Sequence, residues 1–524
     1  MNLIHLLQSQ TNKHSTQPAI IDTYRRQRRV TTFAELDHQS AQIAAMLRQS
    51  GLRPGDAVLV FQSMSAELYI ALGAIFRLGL VAMFLDPGQG KDHIEACCAL
   101  HPPQALIAGS KAHLLRLVSP ALRRIPQKFV VGRLVPGATS WERASQLPAH
   151  PDIFAGCDDT PALLTFTSGS TGQPKAALRT HGFLLAQHQV LSDSLHLTAG
   201  QVDLSTMPIV TLANLASGVT SLIPQADLRY PGRIDPAPVM AQIQTERVDS
   251  TVASPALLAR LADYGLSKGK QLPGLKKIFT GGAPVFPHLL DRLRQLAPNA
   301  EVVAVYGSTE AEPMAKISTA DISTEDKQAM QSGRGLLAGL PVDAIQLRII
   351  PDRWGEPVGP YSGVEFAAVS CAMGEIGEIV VSGNHVLTGY LHGQGDAEIK
   401  FKVDDTIWHR TGDAGYLDSQ GRLWLMGRCA ARIDDQRGRL YPFTVECAVS
   451  AQPDVQRGAV VAHRGWRVLL VEFKRPIGAA QVAELMASLA WAGINDIRIV
   501  KKLPVDKRHN AKIDYSALQQ LVID

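Results

Sequence analysis

Between Leu164 and Gly182 the chain reads LTFTSGSTGQPKAALRTHG; there Thr167, Ser168, Gly169, Ser170, Thr171 and Gly172 set hydroxyls and unhindered backbone side by side, and Lys175 follows. Glycine lets a backbone approach a ligand closely, and successive N–H groups in such a turn form an anion-binding concavity. The hydroxyls and one ammonium add donors and charge aimed at the same anion, so the chemistry indicated is recognition of a polyphosphate. A Ser/Gly-rich flexible linker has similar composition. The flanks oppose that reading, because ALLTF before the stretch has the texture of a buried strand and GFLLAQHQVL after it that of a helix. The stretch is not a Walker A loop, since no Gly-Lys-Ser/Thr follows a four-residue spacer.

Other stretches place polar chemistry at the ends of apolar runs. Lys276 to Pro284 (KKIFTGGAP) is a strand ending in two glycines, and Val302 to Met314 (VVAVYGSTEAEPM) is another strand ending in a polar turn. Loops at the carboxyl ends of parallel strands are where ligands collect in α/β sheets. Trp408 to Arg428 (WHRTGDAGYLDSQGRLWLMGR) carries an Asp in a turn and a Gly-Arg pair, and Leu503 to Leu518 (LPVDKRHNAKIDYSAL) carries Lys512 just before apolar Ile513. Taken alone, each has a plain structural alternative: a turn, an Asp that caps backbone N–H groups, a solvated charge run.

Together they resemble the adenylate-forming superfamily of acyl-CoA synthetases, adenylation domains and luciferases, and the resemblance spans essentially the whole chain. TSGSTGQPK is similar to that family's TSGSTGxPK signature, Tyr306-Gly307-Ser308-Thr309-Glu310 to its YGxTE element, Thr411-Gly412-Asp413 to its TGD, and the segment around Lys512 to its LPxTxxGKIxRxxL element. The resemblance implies that ATP is the substrate and that Thr167 to Gly172 and Lys175 hold its phosphates. Gly281, Gly282, Ala283 and Pro284 would line the adenine and Tyr306 would pack on it. Thr309 would contact phosphate, Glu310 would hold Mg²⁺, Asp413 would accept hydrogen bonds from the ribose with Arg428 supporting the same sugar, and Lys512 would be the catalytic lysine. A carboxylate suits Mg²⁺, which prefers oxygen ligands and commonly bridges substrate phosphates. The implied partner is a small carboxylic acid, activated as acyl-AMP with release of pyrophosphate.

Stepping from these residues to what must hold them, 524 residues is too long for one core. From Thr31 to Pro87 the order extended segment, helix, turn, strand, helix, strand predicts a parallel sheet wrapped by helices, continued by PQALIAG, KFVVG and DSTVASPALL. Beyond Pro351 short β segments such as GEIGEIVVSG and HVLTGYL suggest a small antiparallel or barrel-like subdomain. The last hundred or so residues read as a hairpin, AVVAHRGWRVLLVEF, and helices around AAQVAELMASLAWAG. The fold class expected is α/β: a large N-terminal domain of wound α/β subdomains plus a barrel-like subdomain over 1–427, then a small mobile α+β domain over 428–524 carrying Lys512.

Composition is that of a globular protein, 46% apolar and 19% charged, and a net charge of +4 gives no nucleic-acid signal. The amino terminus lacks a basic region followed by a long apolar core, so no secretory signal is expected. Leu68 to Leu85 is apolar except at Arg77, but Gly79 and Asp86-Pro87-Gly88 predict a helix followed by a buried strand rather than a membrane span. The six cysteines show no CxxC spacing, which speaks against zinc and disulfides and for a reducing cytoplasm.

The fate of the acyl-adenylate is the open point. Where the family's PLFHxxG places an aromatic and a His, this chain has Val210 and Thr211; Ala430 and Ala431 stand at the hinge after Cys429; and the PxEIE element reads Pro442-Phe443-Thr444-Val445-Glu446. These departures weigh against thioester formation with CoA. Leu85-Asp86-Pro87-Gly88 with Gly90, the YGSTEAEP run, GRCAARI with TVECAV, and PVDKRHNAKI resemble a branch of the family, the olefin-pathway β-lactone synthetases. There the substrate's own 3-hydroxyl captures the activated carbonyl, a step favoured by high effective molarity. Ligation to CoA or to a carrier protein, and a non-catalytic acyl or nucleotide sensor, are the alternatives.

Overall fold

The computed structural model describes residues 1–168, 174–505 and 512–523, and it divides into two compact units. One comprises 1–225 with 384–397, the other 226–383 with 398–524.

In the first unit, strands β1 (Pro18–Tyr24), β2 (Gln27–Thr32), β3 (Ala57–Phe61), β4 (Val81–Phe84), β5 (Ala105–Gly109), β6 (Gln127–Val131), β7 (Thr139–Ser140), β8 (Pro161–Ser168), β9 (Pro174–Thr180), β10 (Val202–Ser205) and β11 (Thr220–Leu222) follow in chain order. A seven-stranded sheet has the order β7-β6-β5-β3-β4-β8-β9, parallel except for the antiparallel pair β8 and β9. β10, β11 and β1 pair in parallel, and β2 turns back along β1. The helix Phe33–Gln49 begins at a reciprocal cap in which the Thr32 hydroxyl accepts from Glu35 N while Glu35 accepts from Thr32 N. Its apolar face, with Phe33, Leu36, Ile43 and Leu47, packs against Ala66–Arg77, which is buried on every side. That second helix ends at Gly79, whose φ of +66° is the left-handed turn that suits glycine, and the chain re-enters the sheet as β4. Leu68 to Leu85 is therefore a core helix and a buried strand. Among the described residues no helix is long and apolar enough to cross a membrane.

The second unit carries β12 (Ser250–Ala253), β13 (Lys277–Gly281), β14 (Glu301–Ser308), β15 (Ala311–Ser318), β16 (Leu336–Pro341), β17 (Gln346–Ile350), β18 (Gly377–Ser382), β19 (Lys400–Val403), β20 (Thr406–Leu417) and β21 (Leu423–Arg428). Their order is β17-β18-β20-β21-β16-β15-β14-β13-β12, with β19 also on β20. β12, β13 and β14 are parallel and the others antiparallel, so a wound α/β half passes into an antiparallel half within one sheet. Farther on come the hairpin β22 (Ile433–Asp435) and β23 (Gly438–Leu440), then β24 (Val455–His463), β25 (Trp466–Phe473) and β26 (Asp496–Ile499) as a three-stranded sheet. Strand alternation gives that sheet two apolar faces. Val460, Leu469 and Val471 pack on Val445, Val449 and Leu485, while Ala459, Val461 and Leu470 pack on Leu518 and Val522.

HVLTGYL is not a strand. Its one ladder contact is an isolated bridge from Tyr390 to Ala177, because the Tyr390 N–H donates to the Asp396 carboxylate at 2.8 Å instead of to a neighbouring strand.

Candidate active site

Three of the residues singled out by their motifs meet in the second unit. Tyr306, at the C-terminal half of β14, donates its hydroxyl to Asp413 Oδ2 at 2.7 Å. Asp413 on β20 stands in register with Arg428 on β21, and Arg428 Nε lies 3.2 Å from Asp413 Oδ1. Both carboxylate oxygens thus have a fixed donor. Burial and the Asp413 charge push the Tyr306 phenol well above its ordinary value, so the hydroxyl stays a donor. Asp413 in turn holds the Arg428 guanidinium above its ordinary value. An ionised carboxylate oriented in this way can accept hydrogen bonds from a vicinal diol.

The backbone around it is pinned. Thr411 Oγ1 donates to Ile379 O at 2.8 Å and accepts from Asp413 N at 3.0 Å, and Arg428 Nη1 reaches Thr411 O at 3.2 Å. Under the same strand Arg410 and Glu378, 3% and 0% exposed, form a buried ion pair with Arg410 Nη2 2.7 Å from Glu378 Oε2. Arg410 also donates to the carbonyls of Glu356 at 2.7 Å and of Arg353 and Glu398 at 3.3 Å. This clamp was not read from the sequence; the WHRTGD run that contains Arg410 was the available signal.

β13 delivers Gly281 and Gly282 to the same end of the parallel strands. A Cβ on Gly281 would sit 2.6 Å from Val305 O, so only glycine permits the backbones to lie this close, and Gly282 has a φ of +81°. Ala283 and Pro284 follow half-buried. At the β14–β15 turn Gly307 faces Ala311 O, where a Cβ would come within 3.1 Å, Ser308 Oγ accepts from Glu310 N at 3.2 Å, Thr309 is exposed and Glu310 half-buried. His409, missed by the sequence reading, feels the Glu310 charge. Burial and nearby Lys400 push its imidazole down to about 3, which leaves it neutral, with Nδ1 lacking a hydrogen-bond partner among the described residues. Lys512 is exposed, beside Ile513, which bridges to Val505.

In the first unit, Lys175 on β9 stands in register with Thr167 on β8. It is 8% exposed, and its Nζ lies 5.9 Å from the centre of the Tyr390 ring. Gly395, with a φ of +93°, lies against the Lys175 side chain: a Cβ there would be 2.6 Å from Nζ. Gly169, Ser170, Thr171 and Gly172 lie outside the described residues, as do the side chains of Thr167 and Ser168.

Comparison with known proteins bears on all of these residues. The profile of a family described as AMP-binding enzyme matches residues 7–391. The olefin β-lactone synthetase of Stenotrophomonas maltophilia is 33% identical over 505 residues, which cover 92% of this chain and 89% of that protein. A feruloyl-CoA synthase from Amycolatopsis is 30% identical, over 82% of this chain and 80% of its own length. Among solved structures, an anthranilate CoA ligase in complex with anthranoyl-AMP superposes with a TM-score of 0.83 at 17% identity, covering 100% of this chain and 97% of that one, which shows the shared fold. The chain belongs to the AMP-binding enzyme family of adenylate-forming proteins and is an AMP-forming acid ligase.

Proposed function

We propose that the enzyme activates a 3-hydroxy fatty acid as acyl-AMP and closes it on its own 3-hydroxyl to a β-lactone. Acid adenylation with ATP is the family's chemistry; the lactone step is our reading, carried by the resemblance to olefin β-lactone synthetases over nine-tenths of the chain. In the first step a carboxylate oxygen of the acid bonds to the α-phosphorus of ATP and the bond to pyrophosphate breaks. We assign Tyr306, Asp413 and Arg428 to the nucleoside, Thr309 and the stretch from Thr167 to Lys175 to its phosphates, and Lys512 to the charge that develops on phosphate oxygen. Glu310 fits Mg²⁺ by its chemistry, a hard oxygen donor at a half-buried turn next to a neutral imidazole, and the ion when bound would neutralise phosphate charge.

In the second step the 3-hydroxyl oxygen bonds to the activated carbonyl carbon, the bond to the AMP oxygen breaks, and the hydroxyl proton leaves with phosphate or solvent. Water is the competitor, so the hydroxyl must be held about 3–3.5 Å from that carbon. The hinge supports an acceptor other than CoA. Cys429 to Ala431 form one tight turn with Cys429 fully buried, and the helix Pro442–Ser450 seats Phe443 on Gly427, where a Cβ would meet Phe443 Cβ at 2.5 Å.

Mass spectrometry of products from ATP, Mg²⁺ and a racemic 3-hydroxy fatty acid, with and without CoA, tests the reading. The expected product is the acid less one water, together with AMP and pyrophosphate, at a rate CoA does not raise. Ready appearance of a CoA thioester would instead assign the chain the acceptor named for its feruloyl-CoA synthase relative. A second expected result concerns the nucleoside: Tyr306→Phe keeps the ring but removes one hydrogen bond to Asp413. Such a bond contributes about 1 kcal/mol, so KM for ATP should rise roughly fivefold with little change in melting temperature. An unchanged KM would detach Tyr306 from the nucleotide.

A further inference from the structure

β5 and β6 are parallel neighbours toward one side of the seven-stranded sheet, so the segments that follow them, 110–118 and 132–138, emerge from the same end. They are tied together there. Ser110 Oγ donates to Arg133 O at 2.8 Å, and Arg116 Nη1 donates to Pro136 O at 3.2 Å. The inner side of the first segment is anchored, with His113 buried and its Nε2 3.1 Å from Phe129 O, and with Leu115 packed on the core. The outer side holds Leu114, Leu117, Val118 and Leu134, which are 63%, 73%, 57% and 77% exposed. Single exposed aliphatics are ordinary, but several from two adjoining segments form a patch that calls for a partner.

Charge identifies the partner. Between Glu95 and Glu142 the chain has no Asp or Glu, yet it carries Lys111, Arg116, Arg123, Arg124, Lys128 and Arg133. Lys111 and Arg133 are exposed beside the leucines, and Arg123 and Arg124 are exposed on the helix Pro120–Arg124. Glu95 itself is engaged by the Ser119 hydroxyl and by Ala121 N, the latter at 3.2 Å. The patch therefore presents aliphatic side chains rimmed by cations. Protein hot spots favour Trp, Tyr and Arg over Leu and Val. Insertion of aliphatic side chains among headgroups, with Lys and Arg at the phosphates, is how peripheral proteins hold an anionic leaflet.

We propose that this tip docks the enzyme on an anionic phospholipid surface, with Leu114, Leu117, Val118 and Leu134 entering the headgroup layer and Lys111 and Arg133 contacting lipid phosphates. The surface is separate from every residue assigned to the nucleotide. Co-sedimentation of the full chain with vesicles of phosphatidylcholine and about one-third phosphatidylglycerol tests it, against pure phosphatidylcholine. Binding to the anionic vesicles alone, lost in 0.5 M salt, is expected. Each basic residue near such a surface contributes about fivefold to partition, so Lys111→Glu with Arg133→Glu should lower it by about 20-fold or more. Leu117→Ser with Leu134→Ser should lower it by about tenfold. Both double variants should adenylate a short water-soluble acid at the wild-type rate, which also reports their folding. Equal binding to neutral vesicles, no binding to either, or variants that bind like wild type would overturn the proposal. So would lipid-free self-association abolished by the leucine substitutions, which would assign the patch to a second copy of this chain.

Discussion

Lys512→Ala is expected to lower acyl-AMP formation by about 10²–10³-fold, the loss typical of one preorganised donor aimed at developing charge. ATP affinity should change little. Lys512 is exposed, so its ammonium stays hydrated and its contribution is reserved for the geometry in which the carboxylate meets the α-phosphorus. Its place in the chain is set on both sides, by the bridge of Ile513 to Val505 and by buried Leu518 in the last helix, so the substitution should not loosen the fold. ATP–pyrophosphate exchange measured alongside calorimetric ATP binding gives the answer. Wild-type exchange would take the catalytic role from Lys512, and lost binding would make it a ground-state contact.

Arg410→Met is expected to destabilise the protein by about 3–5 kcal/mol, because it strands a buried carboxylate. Glu378 is 0% exposed, and even with its partner present burial holds its carboxyl above the ordinary value. Without the guanidinium that carboxyl must take up a proton to stay buried, and the carbonyls of Arg353, Glu356 and Glu398 lose their donor. The folded variant then binds a proton that the unfolded chain releases above its ordinary carboxylate range. Its stability is therefore greatest at low pH and falls as pH rises through the raised value. Thermal melts should show the gap from wild type widening from pH 5 to pH 8. A gap that narrows would mean that Glu378 stays ionised and finds another partner. Because Thr411 and Asp413 follow on the same strand, ATP affinity should fall together with stability.

What the sequence made legible was the chemistry carried by side-chain type at fixed spacing. TGD and YGSTE identified Asp413 and Tyr306, and the structure joins them by a hydrogen bond that spans 107 positions. No local pattern encodes that bond, since it exists only once the intervening strands have paired. The same holds for Lys175 and Tyr390, which meet because Asp396 turns the Tyr390 segment off its strand course. Strands were legible where apolar runs led into a glycine or polar turn, as at KKIFTGG and VVAVYGS. The return strands β9 and β15 were not. Pro313 interrupts AEPMAKIS and only partial alternation marks it, so propensity alone does not announce a strand there. Arg410 was hidden for a different reason: an arginine is ordinarily solvated, and only tertiary burial makes it a clamp.

The Tyr306–Asp413 bond has a consequence for how long the enzyme lasts. In sheet order β15, β16 and β21 lie between the strands that carry these residues. A nucleoside held by both is bound only by chains in which the middle of that sheet is closed. A ligand selective for the folded state adds about 2.7 kcal/mol at 100 times its Kd. Abundant ATP would thus act as a staple across the sheet, and a cell short of nucleotide would lose this enzyme to unfolding and proteolysis as well as slow its reaction.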